Sequence, residues 1–146
     1  ELSGDIAISA CGGPLAGGVI SGPLVAQLID ELPMLAALGP FTEQGMEIRD
    51  ARELRVKESD RIAALAENLR RMGAKVGEFA DGLKVAGKSA GKLRGAKVDS
   101  HGDHRIAMAC AVAALGAGGP SIIRDAACVA VSFPNFFKTL DQLLER

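Results

Sequence analysis

The chain has 146 residues, a net charge of −1 at pH 7, 48% hydrophobic residues, and neither Trp nor Tyr. That length supports one compact domain with a core, and the longest apolar run, Ile106 to Gly116, is far shorter than the ~20 residues of a membrane span. Near-neutral charge with no aromatics between basic residues excludes a global field for nucleic acid, so an anionic ligand has to be caught by a local cluster.

Read in order, the chain opens on Glu1-Leu2-Ser3-Gly4-Asp5. This is no signal peptide, since a basic region followed by an apolar one is missing; without an initiator Met, it reads as a piece of something longer. Asp5 to Ala10 alternates as a strand. Gly12-Gly13-Pro14 and Gly17-Gly18 are turns, and Val19-Ile20-Ser21 is a second short strand. Leu24, Val25, Leu28 and Ile29 recur at helical spacing. A helix to about Ile29 is then broken at Asp30-Glu31-Leu32, and another runs from Pro33 to Leu38, because proline suits a first helical turn. The break aims Asp30 at a helix start, where a carboxylate is stabilised; simple capping by Asp30 or Glu31 is the plainer reading.

Gly39-Pro40 stops that helix, and Met46 to Asp50 alternates as a strand. The run Glu53-Leu54-Arg55-Val56-Lys57-Glu58-Ser59-Asp60-Arg61 follows. Charge runs are usually solvated faces, but here Lys57, Glu58 and Arg61 crowd one helix start, where they could converge on an anion. The helix continues through Arg71 with an apolar stripe of Ile62, Leu65, Leu69 and Met72, and Gly73 ends it. Lys75 to Val85 is a hairpin turning at Asp81-Gly82, and Lys88 to Lys97 is a connection. Val98-Asp99-Ser100 ends a strand. His101-Gly102-Asp103-His104-Arg105 precedes the helix Ile106 to Leu115, apolar all round and therefore buried all round. A strand over Ser121 to Arg124 and a helix over Phe136 to Leu144 complete the order.

Cys11, Cys110 and Cys128 are widely spaced with no CxxC, which points to buried free thiols in a reducing compartment and away from a disulfide framework or zinc site. The chain also repeats. Ile48-Arg49-Asp50-Ala51 recurs as Ile123-Arg124-Asp125-Ala126, 75 positions later, and Leu65 and Leu69 meet Leu140 and Leu144 at the same offset. The unit is β-α-β-α-β-β; the second copy stops before its hairpin.

Four strings in this order resemble the 5-enolpyruvylshikimate-3-phosphate (EPSP) synthase family: Leu54 to Arg61, Gly102 to Ala109, Ile29 to Pro33, and Ser132-Phe133-Pro134. The resemblance covers essentially the whole chain. It implies an α/β fold of repeated β-α-β-α-β-β units, helices inside and sheets outside. The chain would be a partial C-terminal domain, about two of three units with a boundary near 88–97, lacking the N-terminal domain. It implies transfer of the enolpyruvyl group of phosphoenolpyruvate to the 5-hydroxyl of shikimate-3-phosphate, in the cytoplasm, with no metal and no cofactor. Carried over by position, Asp30 and Glu58 are catalytic. Asp30 binds the shikimate hydroxyls and accepts the proton, and Glu58 moves the proton at the methylene carbon. Lys57, Arg61 and Arg105 bind substrate, with arginine suited to bidentate pairing. His104 and Asp103 stand behind as orienting groups; a metal role for His101 and His104 is the weaker alternative. Arg55 and Asp60 read as structural. Val131 departs from the lysine many members carry before Ser/Thr-Phe/Tyr-Pro. The partners implied are the two substrates and the missing domain, with neither nucleic acid nor membrane. The isolated chain is expected to be inactive and to self-associate. The alternatives are a non-catalytic anion-binding or interaction module, and a relative of UDP-N-acetylglucosamine enolpyruvyl transferase.

Overall fold

The computed structural model describes residues 4, 7–9 and 12–144. The strand expected over Asp5 to Ala10 falls largely outside these, as does Cys11; residues 7–9 belong to no regular element. The first repeat runs β1 (Gly18–Ile20), α1 (Pro23–Gln27), α2 (Leu32–Leu38), β2 (Met46–Ile48), α3 (Arg61–Arg71), β3 (Val76–Phe79) and β4 (Gly82–Val85). The second runs β5 (Lys97–Asp99), α4 (His104–Leu115), β6 (Ile122–Arg124) and α5 (Phe136–Leu144).

The first four strands form one sheet in the order β1-β2-β4-β3, with β1 and β2 parallel and the others antiparallel; β5 and β6 form a second, parallel sheet. The period of two along each strand sets the faces. Val19, Glu47, Lys84 and Gly77 lie in one register row, and that row faces out: Val19 is exposed, and Lys84 pairs with Glu47 at 2.9 Å. Ile48, Leu83 and Val85 face in and are fully buried. Beneath them α2, α3 and α4 pack on one another. Each such aliphatic side chain contributes roughly 1.5–3 kcal/mol on burial.

α3 buries Ile62, Leu65 and Leu69, with Met72 just past its end, and leaves Arg70 and Arg71 exposed, as its periodicity predicts. α4 serves two cores. Ile106, Ala109, Cys110 and Ala113 join the main cluster, while Ala107 and Ala111 meet Val129 and Phe136 in a second one. Its alanines let elements of both clusters approach closely, while Met108 and Val112 are only half-buried and Leu115 is exposed, so the helix is not buried all round as expected. Burial pushes the Cys110 thiol up to about 12; Cys128 is also free but only half-buried, against the expectation of burial.

Several boundaries differ from the sequence reading. α1 ends at Gln27, two residues before Ile29, and α2 starts at Leu32 with Pro33 in its first turn. The hairpin turns at Ala80-Asp81, because Phe79 pairs with Gly82. Gly82 is a strand residue; a Cβ there would collide with the Ile48 carbonyl oxygen. Two 3-10 turns, Arg52–Val56 and Ala126–Val131, have no hydrophobic period to announce them.

Several side chains join the two repeats, and one of them ties a helix of the first to a strand of the second. Asn68, buried on α3, accepts from the Asp99 N–H at 2.9 Å and donates to the Asp99 carbonyl at 2.6 Å. It thus satisfies both backbone groups at the outer edge of β5, where an unmet buried group would be costly.

Candidate active site

Three segments meet at the start of the packed helices: the turn before α2, the loop from Lys57 to Asp60 before α3, and the turn before α4. Asp60 caps α3, accepting from the Ala63 N–H at 3.0 Å, and pairs with Arg55 at 2.8 Å. Arg55 also donates to the Ala80 carbonyl at 2.9 Å and pairs with Glu78 at 3.2 Å. Both residues are structural, as expected, and they fix the loop that presents Glu58 and Ser59.

Arg61 is the first residue of α3, yet its side chain is only 1% exposed. Its Nε donates to Asp103 Oδ2 at 2.8 Å and its Nη2 to Asp103 Oδ1 at 3.4 Å. Nη2 also meets Glu58 Oε2 at 2.6 Å, and Nη1 meets Asp30 Oδ1 at 3.4 Å. Three carboxylates therefore share one buried guanidinium. Arg105, on the first turn of α4, reaches Asp30 from the other side: Nη2 lies 3.2 Å from Asp30 Oδ2, and Nη1 donates to the Asp30 backbone carbonyl at 3.2 Å. Its Nε is buried with no hydrogen-bond partner among the described residues.

Asp103 is fully buried and caps α4, accepting from the Arg105 N–H at 2.9 Å and from Ser59 Oγ at 3.0 Å. Burial pushes its carboxyl up, but the bond and charge of Arg61, the Ser59 hydroxyl and the Arg105 N–H outweigh it and hold the group below the usual carboxylate range. Burial likewise lowers Arg61, and the bond and charge of Asp103, with the charges of Glu58 and Asp30, leave it raised. Both stay charged. A buried pair of this kind is tolerated only when its remaining donors and acceptors are met, as they are here.

Asp30, Glu58, Arg61 and Arg105 thus converge as expected. Asp30 and Glu58 are about half exposed, at 47% and 50%, and they cover the guanidinium edges that an anion would use. The capping reading of the Asp30 break does not hold, for Glu31 caps α2 with its backbone alone and Asp30 turns to the arginines. Lys57 is not brought to the cluster, because its Nζ pairs with Glu53. Asp103 sits on Arg61, 42 residues away in sequence, beyond its expected place beside Arg105. His104 is buried in the first turn of α4. His101 lies 3.3 Å from Glu67, and no cluster of three or more His, Cys, Asp and Glu suited to a metal occurs among the described residues. Ser59 was missed, although a hydroxyl inside the charged run was the available signal.

Chemically, the cluster offers two solvent-facing carboxylates able to take up or release protons, beside two guanidinium groups able to hold a carboxylate or phosphate. The starts of α3 and α4 are each capped by a carboxylate of their own, Asp60 and Asp103. A separate cavity of about 660 Å³ lies at the far ends of α2 and α4, lined by Pro40, Phe41, Lys88, Lys92, Leu93 and Gly116. It holds none of these groups, so the chemistry points to the charged cluster and not to the cavity.

The family model for EPSP synthase (3-phosphoshikimate 1-carboxyvinyltransferase) matches residues 16–140. The chain is 60% identical over its whole length to a 3-phosphoshikimate 1-carboxyvinyltransferase of Koribacter versatilis, covering 33% of that protein. It is 53% identical to one from Solibacter usitatus, with 99% of the chain and 33% of the relative covered. The chain therefore spans about a third of the length of these curated relatives. Among solved structures, an EPSP synthase from Acinetobacter baumannii superposes with a TM-score of 0.82 at 37% identity, over 88% of this chain and 30% of that one. The match across residues 16–140 takes in both repeats and every charged group of the cluster, and the chain belongs to the EPSP synthase family.

Proposed function

We propose that the chain is the C-terminal half-site of a 3-phosphoshikimate 1-carboxyvinyltransferase. It would supply about two of the three units of a C-terminal domain, with the unit boundary within 88–97, and act with an N-terminal domain across a cleft. The substrates are shikimate-3-phosphate and phosphoenolpyruvate, and the cytoplasm is the compartment that suits the free thiols of Cys110 and Cys128. The observation that carries this reading is the convergence of Asp30 and Glu58 on Arg61 and Arg105.

In the reaction, the 5-hydroxyl oxygen attacks the second carbon of phosphoenolpyruvate while the methylene carbon gains a proton. Phosphate then leaves and the new methyl returns a proton. Asp30 takes the hydroxyl proton; Glu58 delivers and recovers the proton at carbon. Arg61 and Arg105 hold the anionic groups, once these displace the carboxylates now resting on them, and Lys57 joins on releasing Glu53. Asp103 and His104 orient from behind. A cleft closed by a second domain excludes water from these steps.

The test is phosphate release. The purified chain should release none from the two substrates, and adding the complementary N-terminal portion in trans should restore release. Release by the chain alone would overturn the half-site reading. Anion binding with no release from the combined halves would favour an anion-binding module. The exposed Val19, Ile122, Leu143 and Leu144 support self-association of the isolated chain, which light scattering would show as a mass above that of a monomer.

A further inference from the structure

Asp103 is a fully buried group that engages the side chain of Arg61 and the backbone of Arg105. Its Oδ1 accepts from the backbone N–H of Arg105 at 2.9 Å, and its Oδ2 accepts from Arg61 Nε at 2.8 Å. Ser59 Oγ donates to that same Oδ2 at 3.0 Å from the loop before α3. The two arginines belong to different repeats, so nothing in the local helix geometry of either one sets the distance between them. Asp30 bridges the two guanidinium groups from the half-exposed side; from the buried side one carboxylate, pinned by a hydroxyl, ties the Arg61 guanidinium to the α4 backbone that carries Arg105.

We propose that Ser59 and Asp103 act as a positioning pair that holds the Arg61 guanidinium against the start of α4, where Arg105 is carried, and so sets the width of the anion site. Ser59 spends its hydroxyl on Asp103. It stops the Asp103 carboxylate from rotating, and a fixed carboxylate holds the buried Arg61 fork in one orientation. Arg61 in turn orients Glu58 and Asp30 through its remaining donors. The proposal rests on the anion site assigned to Arg61 and Arg105, and it adds to that site a residue whose effect is indirect.

Two arms test it. In the first, inorganic phosphate is titrated into the 146-residue chain, followed by phosphorus NMR. Ser59→Ala should weaken phosphate binding by about three- to tenfold, the loss of one hydrogen bond, and Ser59→Thr should restore it to within about twofold. Asp103→Asn should weaken it further. In the second arm, the full-length parent enzyme carrying Ser59→Ala should show a raised KM for phosphoenolpyruvate with kcat changed much less. A purely structural role would lower the melting temperature of the Ser59→Ala chain and leave phosphate affinity of the folded protein unmoved; that result overturns the proposal. Weakened phosphate binding with no transfer activity in the parent would sink the enzymatic reading while supporting the positioning pair.

Discussion

The two repeats place different chemistry on one backbone. Asp50 and Asp125, 75 positions apart, both adopt a left-handed conformation, with φ of 56° and 52°. Each leads into a 3-10 turn, Arg52–Val56 or Ala126–Val131, and then a helix beginning at Arg61 or Phe136. Val56 and Val131, at the ends of these turns, are each 80% exposed. Helix starts match to the hydrogen bond: Ala64 N–H to the Asp60 carbonyl at 2.9 Å, and Thr139 N–H to the Asn135 carbonyl at 2.8 Å. Yet where the first copy has the Glu58–Arg61 ion pair, the second has the edge-to-face pair Phe133–Phe136, centroids 5.7 Å apart. Both lead positions are buried, Arg61 at 1% and Phe136 at 9%. The scaffold is content with an aromatic pocket there, so folding does not demand charge. A buried guanidinium with three carboxylate neighbours is better explained by what the site binds.

The largest expected effect comes from breaking the charged copy. Arg61→Leu strands the Asp103 carboxylate in the core and should cost roughly 3–5 kcal/mol of stability by urea unfolding, with most of it recovered in Arg61→Leu/Asp103→Leu. A single-variant loss below about 1 kcal/mol would mean that Asp103 is not the buried counter-ion. Truncating the aromatic copy comes next: Phe136→Ala should cost about 3 kcal/mol through cavity formation, measured the same way. The two copies should then separate by pH. Asp103 has a folded pKa below its unfolded value of about 4, so its contribution is complete above that pH and is lost as pH falls through the folded value. The stability gap between the wild type and Asp103→Leu should therefore narrow in acid, whereas the gap for Phe136→Ala should stay flat. The smallest effect is at the helix start, where Asp60→Ala removes the cap and should cost about 1 kcal/mol; an unchanged unfolding midpoint would count against the cap.

Patterns with a period were legible in the sequence. The stripe on α3, the burial of most of α4 and the repeat each follow from residue spacing, although Met108 and Val112 on α4 are only half-buried and Leu115 is exposed, against the expectation of burial all round. What escaped has no period. Side-chain direction sent Lys57 to Glu53, four residues back, although its neighbours suggested the cluster. The choice between capping and ion pairing at Asp30 depended on partners 31 and 75 residues away, which no local window contains. Gly82 looked like a turn residue because Asp-Gly favours turns, but the backbone of β2 presses on it from across the sheet. Asn68 drew no reading from the sequence; the edge of β5, 31 residues on, gives it a reason to be buried.

Asn68 also bears on the order in which the chain acquires its structure. Its carboxamide stands in for a neighbouring strand, so β5 has nothing to complete its outer edge until α3 is in place. Such long-range pairing is slow to form because loop closure must precede any gain. A ribosome delivers the first repeat before the second, and domains and their parts tend to fold as they emerge. The finished helix would then act as a template on which the later sheet nucleates. In pulse-labelled refolding, the amides of β2 and β4 should gain protection before the amide of Asp99, and Asn68→Ala should delay the second group without slowing the first.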